Sequence, residues 1–513
     1  MLKDRLETRF GLPDGKRRWR EVSPLNKSRD RAGLRWTGHP LVDVGIATLT
    51  CFSERERPEE VTFNDLEAFA RYAEEAFFTP LLRSYISVLF TMNSFLNPAW
   101  KPDRQRIEAA KLLRAYSFEV DPRGESCAYC GRPSVHRVYR DLVPMLTGRG
   151  IPNFFPQGSS GLPACGTCTV AILALAIGAP MCSGRALVIE PEDRRLLLKL
   201  TARWLPRLRE RVQLSGQTEK KPPGIRHPLT RTIEALVHLQ EEEAAEDVPA
   251  SGVTVYHLSN SGQGPSIDIY RLPSTVMSFI WRAQKAKYRV AWKRVVARGW
   301  YRPGGRRRSG KDEVGGDDDT TLVGFDDTEG QWRNAVYEDL FSLPEQAGRF
   351  LRRHFLPRRI LDLIGSRAED GQRPVIHPID PRHWELVVLF LREVVGMDKS
   401  RVSAIAALGD ELAREISDFD DARLFRSVAT ADEYRAVRSI LIRADLARLK
   451  RGQPLVIGFD SFLKVFEEGE EVARVDWRLA WDLTVIRVLD ALYQKGWFNR
   501  KGELLESDED LEG

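Results

Sequence analysis

Four cysteines have the spacing of metal ligands. Cys127 and Cys130 form one CxxC pair, and Cys165 and Cys168 form a second pair after a 34-residue insert. Two thiolates two residues apart can hold one Zn2+ from a tight turn, and two such pairs complete a closed tetrahedral site. Redox exchange is the other use of a CxxC pair, but two pairs, each with a glycine for the turn, favour metal. The sequence therefore predicts a structural Zn2+ site with no open position for catalysis.

A second chemical feature is a segment with an excess of positive charge. Between Asp268 and Asp312 there are thirteen lysines and arginines and no acid. From residue 273 to about 298 the periodicity is that of one helix, with two cationic stripes flanking an apolar seam. A solvated basic face is one interpretation, and contact with nucleic-acid phosphates is the other. The candidate contacts are Arg282, Lys285, Lys287, Arg289, Lys293, Arg294 and Arg298 on the helix, and Arg306, Arg307 and Arg308 beyond it.

Side-chain amides occur just before this basic segment. Residues 253–258 and 266–272 are rich in strand formers, and the Ser-Asn-Ser-Gly-Gln-Gly-Pro stretch between them predicts a hairpin turn. Asn260 and Gln263 offer paired donor and acceptor groups that match base edges, so we predict DNA contacts for both. The same residue types are ordinary turn formers, and a purely structural loop is an equally good interpretation.

The insert between the cysteine pairs can be compared with the HNH nucleases, which it faintly resembles. Leu142 follows Asp141 where the general-base histidine of those enzymes should stand. Thr169 follows Cys168 at the later histidine position, and His136 lies too early in the insert. Hydrolysis needs a base to activate water, so we expect a treble-clef-like fold without catalytic function.

The elements that position these residues predict an α+β protein of several domains. The chain has 513 residues, of which 42% are hydrophobic and 29% charged, and its net charge is +5. Helical periodicity recurs near 332–341, 345–355, 383–395, 399–417, 431–450 and 473–494. We predict a mainly helical N-terminal region (1–124), a four-cysteine zinc-binding region (125–190), a region of helices and the hairpin with the basic helix (191–301), a flexible linker (302–330) and an all-α C-terminal bundle (331–513).

Cysteine use and hydrophobicity predict a cytoplasmic protein. Cys51 and Cys182 lie in apolar surroundings and are not expected to be reactive, which fits a reducing compartment. The only long apolar run, residues 170–179, is too short to cross a bilayer, so no membrane association is expected.

Four motifs occur in an order that resembles a known family. They are Trp-Thr-Gly-His-Pro-Leu-Val-Asp-Val-Gly at 36–45, Asn-Ser-Phe-Leu-Asn-Pro at 93–98, the two cysteine pairs, and Ser-Asn-x-Gly-Gln-x-Pro-x-Ile-x-Ile-Tyr at 259–270. Together they resemble the large subunit of type I-B CRISPR Cascade, in the CXXC-CXXC branch of the Cas-eight family. The resemblance covers about the first 300 residues in motif terms, whereas the C-terminal part agrees only in being helical.

The resemblance implies a DNA-recognition subunit that is not an enzyme. Such a subunit belongs to a guide-RNA complex with backbone, Cas-five and small subunits, and it recruits the Cas-three helicase–nuclease. It reads the protospacer-adjacent motif of double-stranded target DNA and helps to open the strands, while guide pairing reads the remaining sequence. The resemblance then implies that the cations hold phosphates and that loop 260–264 reads or wedges the motif.

Two other classes of function are also consistent with the sequence. A zinc-stabilised HNH-like nuclease would cut DNA with Mg2+, and a zinc-containing adaptor would bind DNA without guide RNA.

Met397 could be an internal start of translation, which would yield a separate product of 117 residues. In the subtype that the chain resembles, the helical C-terminal part is often also made as a separate small subunit. An internal start and a methionine without a role in translation fit the sequence equally well.

Overall fold

The computed structural model describes residues 31–91, 94–120, 124–152, 158–218, 225–242, 250–261, 264–301, 332–356, 383–467 and 473–500. Over these residues the protein is mixed α+β with a helical C-terminal region, as predicted. The chain divides into two compact units, and among the described residues unit 1 comprises those up to Arg271 together with Trp332, while the others belong to unit 2. The first division, at Arg271 and Leu272, lies inside the predicted region 191–301, at the end of the hairpin and before the helical part of the basic segment. The predicted linker 302–330 lies outside the described residues.

Unit 1 combines helices with two small sheets. Its helices are α1 (Pro40–Phe52), α2 (Phe63–Ala76), α3 (Pro80–Leu89), α4 (Pro102–Leu113), α5 (Gly166–Gly178), α6 (Arg194–Thr218) and α7 (Pro228–Glu242). Its strands are β1 (His136–Val138), β2 (Leu162–Ala164), β3 (Met181–Cys182), β4 (Arg185–Pro191), β5 (Val253–Ser259) and β6 (Ser266–Leu272). Strands β1 and β2 form an antiparallel ribbon, and the larger sheet has the order β3-β4-β5-β6. The predicted hairpin is confirmed, because β5 and β6 are neighbours.

The centre of unit 1 is the contact between α1 and α5. All of α5 and residues Leu41 to Thr50 of α1 are buried, so neither helix has a solvent-exposed face in this region. Glycines at the contact let the two backbones approach each other. A Cβ atom at Gly45 would lie 1.7 Å from the carbonyl oxygen of Ala171. The apolar run at 170–179 is therefore the central helix of a core.

The motif at 36–45 has a structural explanation in this core. Asp43 is fully buried, and its carboxylate accepts hydrogen bonds from the Thr37 backbone N–H at 2.8 Å and hydroxyl at 2.7 Å. It also accepts one from the Gly38 N–H at 3.0 Å and pairs with Arg194 at 3.0 Å. A buried carboxylate is stable only when such partners replace water. The Thr-Gly turn and the aspartate of the motif thus stabilise each other.

Gly45→Ala is expected to destabilise unit 1 by about 2–3 kcal/mol, because the added methyl meets backbone atoms that cannot rotate away. Urea-induced unfolding measures this change. Gly148→Ala is the matched control, since a Cβ there would lie 3.6 Å from Ile151, an ordinary contact distance. Equal stability of the two variants would contradict the close helix contact.

Unit 2 consists mainly of helices. They are α8 (Ser274–Ala283), α9 (Ala286–Gly299), α10 (Ala335–Asp339), α11 (Ala347–His354), α12 (His383–Phe390), α13 (Lys399–Phe419), α14 (Ala422–Thr430), α15 (Tyr434–Lys450), α16 (Phe459–Phe466), α17 (Trp477–Gln494) and α18 (Trp497–Arg500). Strands β7 (Trp300–Tyr301) and β8 (Arg333–Asn334) form a short antiparallel pair. The periodicity had not indicated α14 or α16. Met397 lies in the turn before α13, where its N–H donates to the Leu391 carbonyl at 3.0 Å.

The core of unit 2 contains the contact between α13 and α17, which buries Ile405, Leu412 and Leu489. Aromatic side chains form a second part of this core, where Phe390 lies 5.3 Å from Phe279 and 5.2 Å from Phe350 between ring centroids. Among the described helices of both units, none is long and apolar enough to span a membrane.

Candidate metal centre and basic surface

The four predicted ligands lie together in unit 1. Cys127 and Cys130 are in the turn before β1, Cys165 directly precedes α5, and Cys168 is in the first turn of α5. The β1–β2 ribbon connects the two pairs. The four Sγ atoms lie within 4.8 Å of one another, and all four residues are buried.

The glycines next to the cysteines are required by the backbone geometry. Gly131 has a φ of +74°, and its N–H donates to the Cys127 carbonyl at 2.9 Å, which closes the first turn. Only glycine adopts this left-handed conformation without strain. At Gly166 a Cβ atom would lie 2.0 Å from the carbonyl oxygen of Ala115. Both turns are thus built so that the thiols converge.

The sulfur positions fit one bound metal ion. Metal–sulfur bonds of about 2.3 Å in a tetrahedron place the sulfurs about 3.8 Å apart. Cys130 Sγ and Cys165 Sγ are 3.5 Å apart, and all six cysteines are free thiols. A disulfide would need a distance of about 2.05 Å. The buried cluster of four cysteines could therefore hold a metal ion, with no fifth group required.

Two arginines surround the cluster. Arg132 Nη2 donates to the Thr167 hydroxyl at 2.5 Å and lies 3.9 Å from Cys165 Sγ, and Arg35 donates to the Cys130 carbonyl. Four thiolates around a divalent ion carry net negative charge, and nearby guanidinium groups offset it. Neither arginine was predicted from the sequence. The position of Arg132 beside the first pair was a usable signal, whereas Arg35 lies 95 residues from Cys130.

When no metal ion is bound, hydrogen bonds among the four cysteine side chains shift the pKa values of their thiols. The hydrogen bond between Cys127 and Cys130 then lowers the pKa of Cys130 and raises the pKa of Cys127. Hydrogen bonding with Cys127 lowers the pKa of Cys165 to about 6. Burial raises the pKa of both Cys51 and Cys182 to about 12, which agrees with the expectation that these two thiols are unreactive.

The residues that were compared with the HNH pattern take part in local contacts. His136 Nε2 lies 3.0 Å from the hydroxyl oxygen of Thr169, and Asp141 accepts a hydrogen bond from Arg149 at 3.1 Å. Within the described ranges, the four cysteines are the only group of three or more potential metal ligands. No second ligand cluster therefore accompanies His136 or Asp141 in that part of the chain.

The structure corrects the expectation for Asn260. This side chain is fully buried, and its amide nitrogen donates to the carbonyl oxygens of Leu89 and Arg140, each at 2.8 Å. Its Oδ1 atom accepts from Arg140 Nε at 3.0 Å. Because both amide hydrogens and the oxygen are engaged inside unit 1, Asn260 positions the loop and presents no group to a base. Gln263 lies outside the described residues.

Arg140 is the residue that ties this loop to the insert. Its Nη2 atom donates to the Ser261 carbonyl at 2.6 Å and the Asn260 carbonyl at 3.4 Å. The Asn260 N–H donates in turn to the Val88 carbonyl at 2.7 Å. Arg140 and Asn260 are 120 residues apart, and no pattern in the sequence connects them. We call this network the loop clamp.

The predicted basic helix is two helices in the structure. α8 ends at Ala283 and α9 begins at Ala286, with Lys285 in an extended conformation between them (φ −66°, ψ 149°). The break separates Arg282 from the rest of its predicted stripe. Most of the apolar seam is confirmed, and Trp292 belongs to the core because it is 1% exposed and packs edge-on against Phe279. Four of the five predicted seam residues are buried, namely Met277, Trp281, Ala291 and Val295, whereas the fifth, Tyr288, is half-buried.

Most cations of α8 and α9 are exposed, and described acidic residues of unit 2 pair with Arg282 and Lys287. Arg282 pairs with Glu393 at 3.3 Å, and Lys287 pairs with Glu385 at 3.4 Å. Lys285 and Lys293 form no ion pair with any residue that the structure describes. Exposed side chains are Arg282, Lys285, Lys287, Arg289, Arg294 and Arg298, and Lys293 is half-buried. Arg306, Arg307 and Arg308 lie outside the described residues.

Comparison with known proteins does not place the chain in a family. No protein-family model matches it, and no curated protein or solved structure matches it significantly. The four-cysteine centre, the loop clamp and the cations of α8 and α9 therefore carry the functional interpretation.

Proposed function

We propose that the four-cysteine centre binds one structural Zn2+ in a treble-clef-like arrangement. The order of a ligand-bearing turn, a β-ribbon and a helix with ligands at its N-terminus supports this assignment. Four thiolate donors suit Zn2+, and a closed set of four leaves no position for water or substrate. Bound Zn2+ would link the insert to α5 and so stabilise unit 1.

We further propose that the protein is a DNA-binding subunit of an RNA-guided complex and has no catalytic role. The motifs at 36–45, 93–98 and 259–270 support the large subunit of type I-B Cascade as the particular candidate. Its partners would be the guide RNA, the backbone, Cas-five and small subunits, double-stranded target DNA and the Cas-three helicase–nuclease. Recognition of the protospacer-adjacent motif would be its part of target selection.

The observation that carries this proposal is the basic surface, defined as Lys285, Lys287, Arg289, Lys293, Arg294 and Arg298. Buried residues of α9, such as Trp292 and Val295, hold the helix on unit 2, while five of the six cations are exposed and Lys293 is half-buried. An anchored helix with exposed cations can contact several phosphates without losing much conformational entropy. The ion pair between Lys287 and Glu385 is 60% and 48% exposed, so a phosphate can compete with it.

Affinity purification of the tagged chain, expressed together with its genomic neighbours, tests the class of function. We expect guide RNAs with a constant repeat and variable spacers among the associated RNAs. Absence of such RNA together with tight DNA binding by the isolated chain would favour the adaptor. Cutting of DNA by the purified chain with Mg2+ would favour the nuclease.

Neutralising the basic surface should weaken DNA binding in a salt-dependent way. We expect Lys285→Gln, Arg289→Gln and Lys293→Gln together to reduce the affinity of the assembled complex about 10- to 100-fold. The slope of log affinity against log salt should fall by about 2–3 in magnitude, since each lost phosphate contact removes roughly one unit. An unchanged slope would contradict the proposal. The matched control removes three charges of unit 1 through Arg71→Gln, Lys111→Gln and Arg195→Gln.

A further inference from the structure

Helix α15 exposes an apolar stripe. Ile442, Leu446 and Leu449 are 56%, 52% and 57% exposed, and their four- and three-residue spacing puts them on one side of the helix. The opposite side is buried in unit 2 through Val437, Ile440, Leu441 and Ala444. Contiguous exposed apolar side chains of this size are typical of surfaces that bind another segment.

Cations flank this stripe. Arg438, Arg443 and Lys450 are exposed, and none of them forms an ion pair with a described residue. Asp445 is the single acid within α15, and its carboxylate accepts a hydrogen bond from the Val456 N–H at 2.6 Å. An apolar centre with cationic edges is complementary to a segment that carries both leucines and acids. We call Arg438, Ile442, Arg443, Leu446, Leu449 and Lys450 the α15 surface.

We propose that residues 501–513 of the same chain dock on the α15 surface. This segment reads Lys-Gly-Glu-Leu-Leu-Glu-Ser-Asp-Glu-Asp-Leu-Glu-Gly, with three leucines and with six acids against one lysine. Leu504, Leu505 and Leu511 supply apolar area for the stripe. The acids supply partners for the arginines and the lysine on its edges.

The last described segment packs on α14, the helix that precedes α15 in the chain. Trp497 and Phe498 of the last described segment pack on Phe425 of α14, with ring centroids 5.2 and 5.6 Å apart. Only residues 431–433 separate α14 from α15. Thirteen extended residues span at most about 45 Å. The 17 residues of α15 cover about 25 Å, so the segment is longer than the stripe.

Other occupants fit the α15 surface less well. A second copy of α15 would pair the leucines but would bring like charges together. Nucleic acid would meet the cations but would leave the apolar stripe uncovered. Residues 501–513 satisfy both features and are held near the surface by the chain itself, which raises their effective concentration.

Cysteine protection tests this proposal. Leu446→Cys is made in the full chain and in a chain ending at Arg500, and the rate of maleimide modification at position 446 is followed by mass spectrometry. We expect modification to be slower by at least about fivefold in the full chain at low salt. Replacing Glu506, Asp508, Glu509 and Asp510 by their amides should abolish this difference. Val475→Cys is the control, because Val475 is 101% exposed and should react equally in both chains.

Three results would overturn the proposal. Equal rates at position 446 in both chains would show that the segment does not cover the stripe. Protection that persists in the chain ending at Arg500 and grows with protein concentration would assign the surface to a second copy. Protection that appears only after a DNA duplex is added would assign it to nucleic acid. Circular dichroism of each variant checks that the helices are retained.

Discussion

Cys130→Ser is expected to abolish metal binding and to unfold unit 1 under conditions where the wild-type chain is stable. The wild-type chain should contain about one Zn2+ per chain, because the four sulfurs are within 4.8 Å of one another. Structural Zn2+ contributes about 10–16 kcal/mol of binding free energy in small domains. Loss of the ion should therefore destabilise unit 1 by about 5 kcal/mol or more. Elemental analysis and thermal unfolding measure the two effects.

Cys51→Ala is the matched control for this experiment. Cys51 is a free thiol of unit 1 that lies outside the cluster, so its removal should leave the metal content unchanged. Chelation of the wild-type ion should reproduce the unfolding seen with Cys130→Ser. A full equivalent of metal in Cys130→Ser, or a wild-type chain that is indifferent to chelators, would refute the structural role of the ion.

Asn260→Ala is expected to have the second-largest effect, a loss of about 3–5 kcal/mol in the free energy of unfolding. The substitution leaves the Leu89 carbonyl, the Arg140 carbonyl and the Arg140 Nε–H without their partner. A buried polar group that loses its hydrogen bond costs about 1–3 kcal/mol. Equilibrium unfolding in urea measures the total. Amide exchange at residues 258–261 should also become faster, because the loop clamp is broken.

Two further variants isolate the clamp from general effects of substitution. Ser266→Ala, at an exposed position of β6, should change stability by less than about 0.5 kcal/mol. Arg140→Met combined with Asn260→Ala should cost less than the sum of the two single changes, because both remove the same hydrogen bonds. A loss below about 1 kcal/mol for Asn260→Ala, or strict additivity, would show that the clamp contributes little.

Features that depend on neighbours in the sequence could be predicted. The CxxC spacing brings two thiols to one turn, and Gly131 supplies the left-handed residue that such a turn needs. Strand formers around turn residues predicted β5 and β6, and periodicity predicted most helices of unit 2 and most of the buried seam of α8 and α9. In each case the information lies within a few residues, where backbone preferences and side-chain periodicity act directly.

Features that depend on contacts between distant parts of the chain could not be predicted from the sequence. The side-chain amide of Asn260 could pair with a base edge, but in the fold it lies beside Leu89 and Arg140 and donates its hydrogen bonds to their carbonyl oxygens instead. The basic segment contains no acid, yet Glu385 and Glu393 approach it from about 100 residues away. The break at Lys285 was likewise missed, because the apolar positions continue across it with the periodicity of one helix.

The sequence by itself determined which residues can bind a metal ion, where the strands of the hairpin lie and where positive charge accumulates. Only the tertiary structure decided that the two cysteine pairs meet, that Asn260 faces the interior and that part of the basic charge is paired. The physical reason is that local geometry follows from bonded neighbours, whereas burial and ion pairing are set by which distant segments pack together. For the same reason the α15 surface can be recognised only in the folded chain. Its leucines are exposed because the opposite side of the helix packs in the core of unit 2.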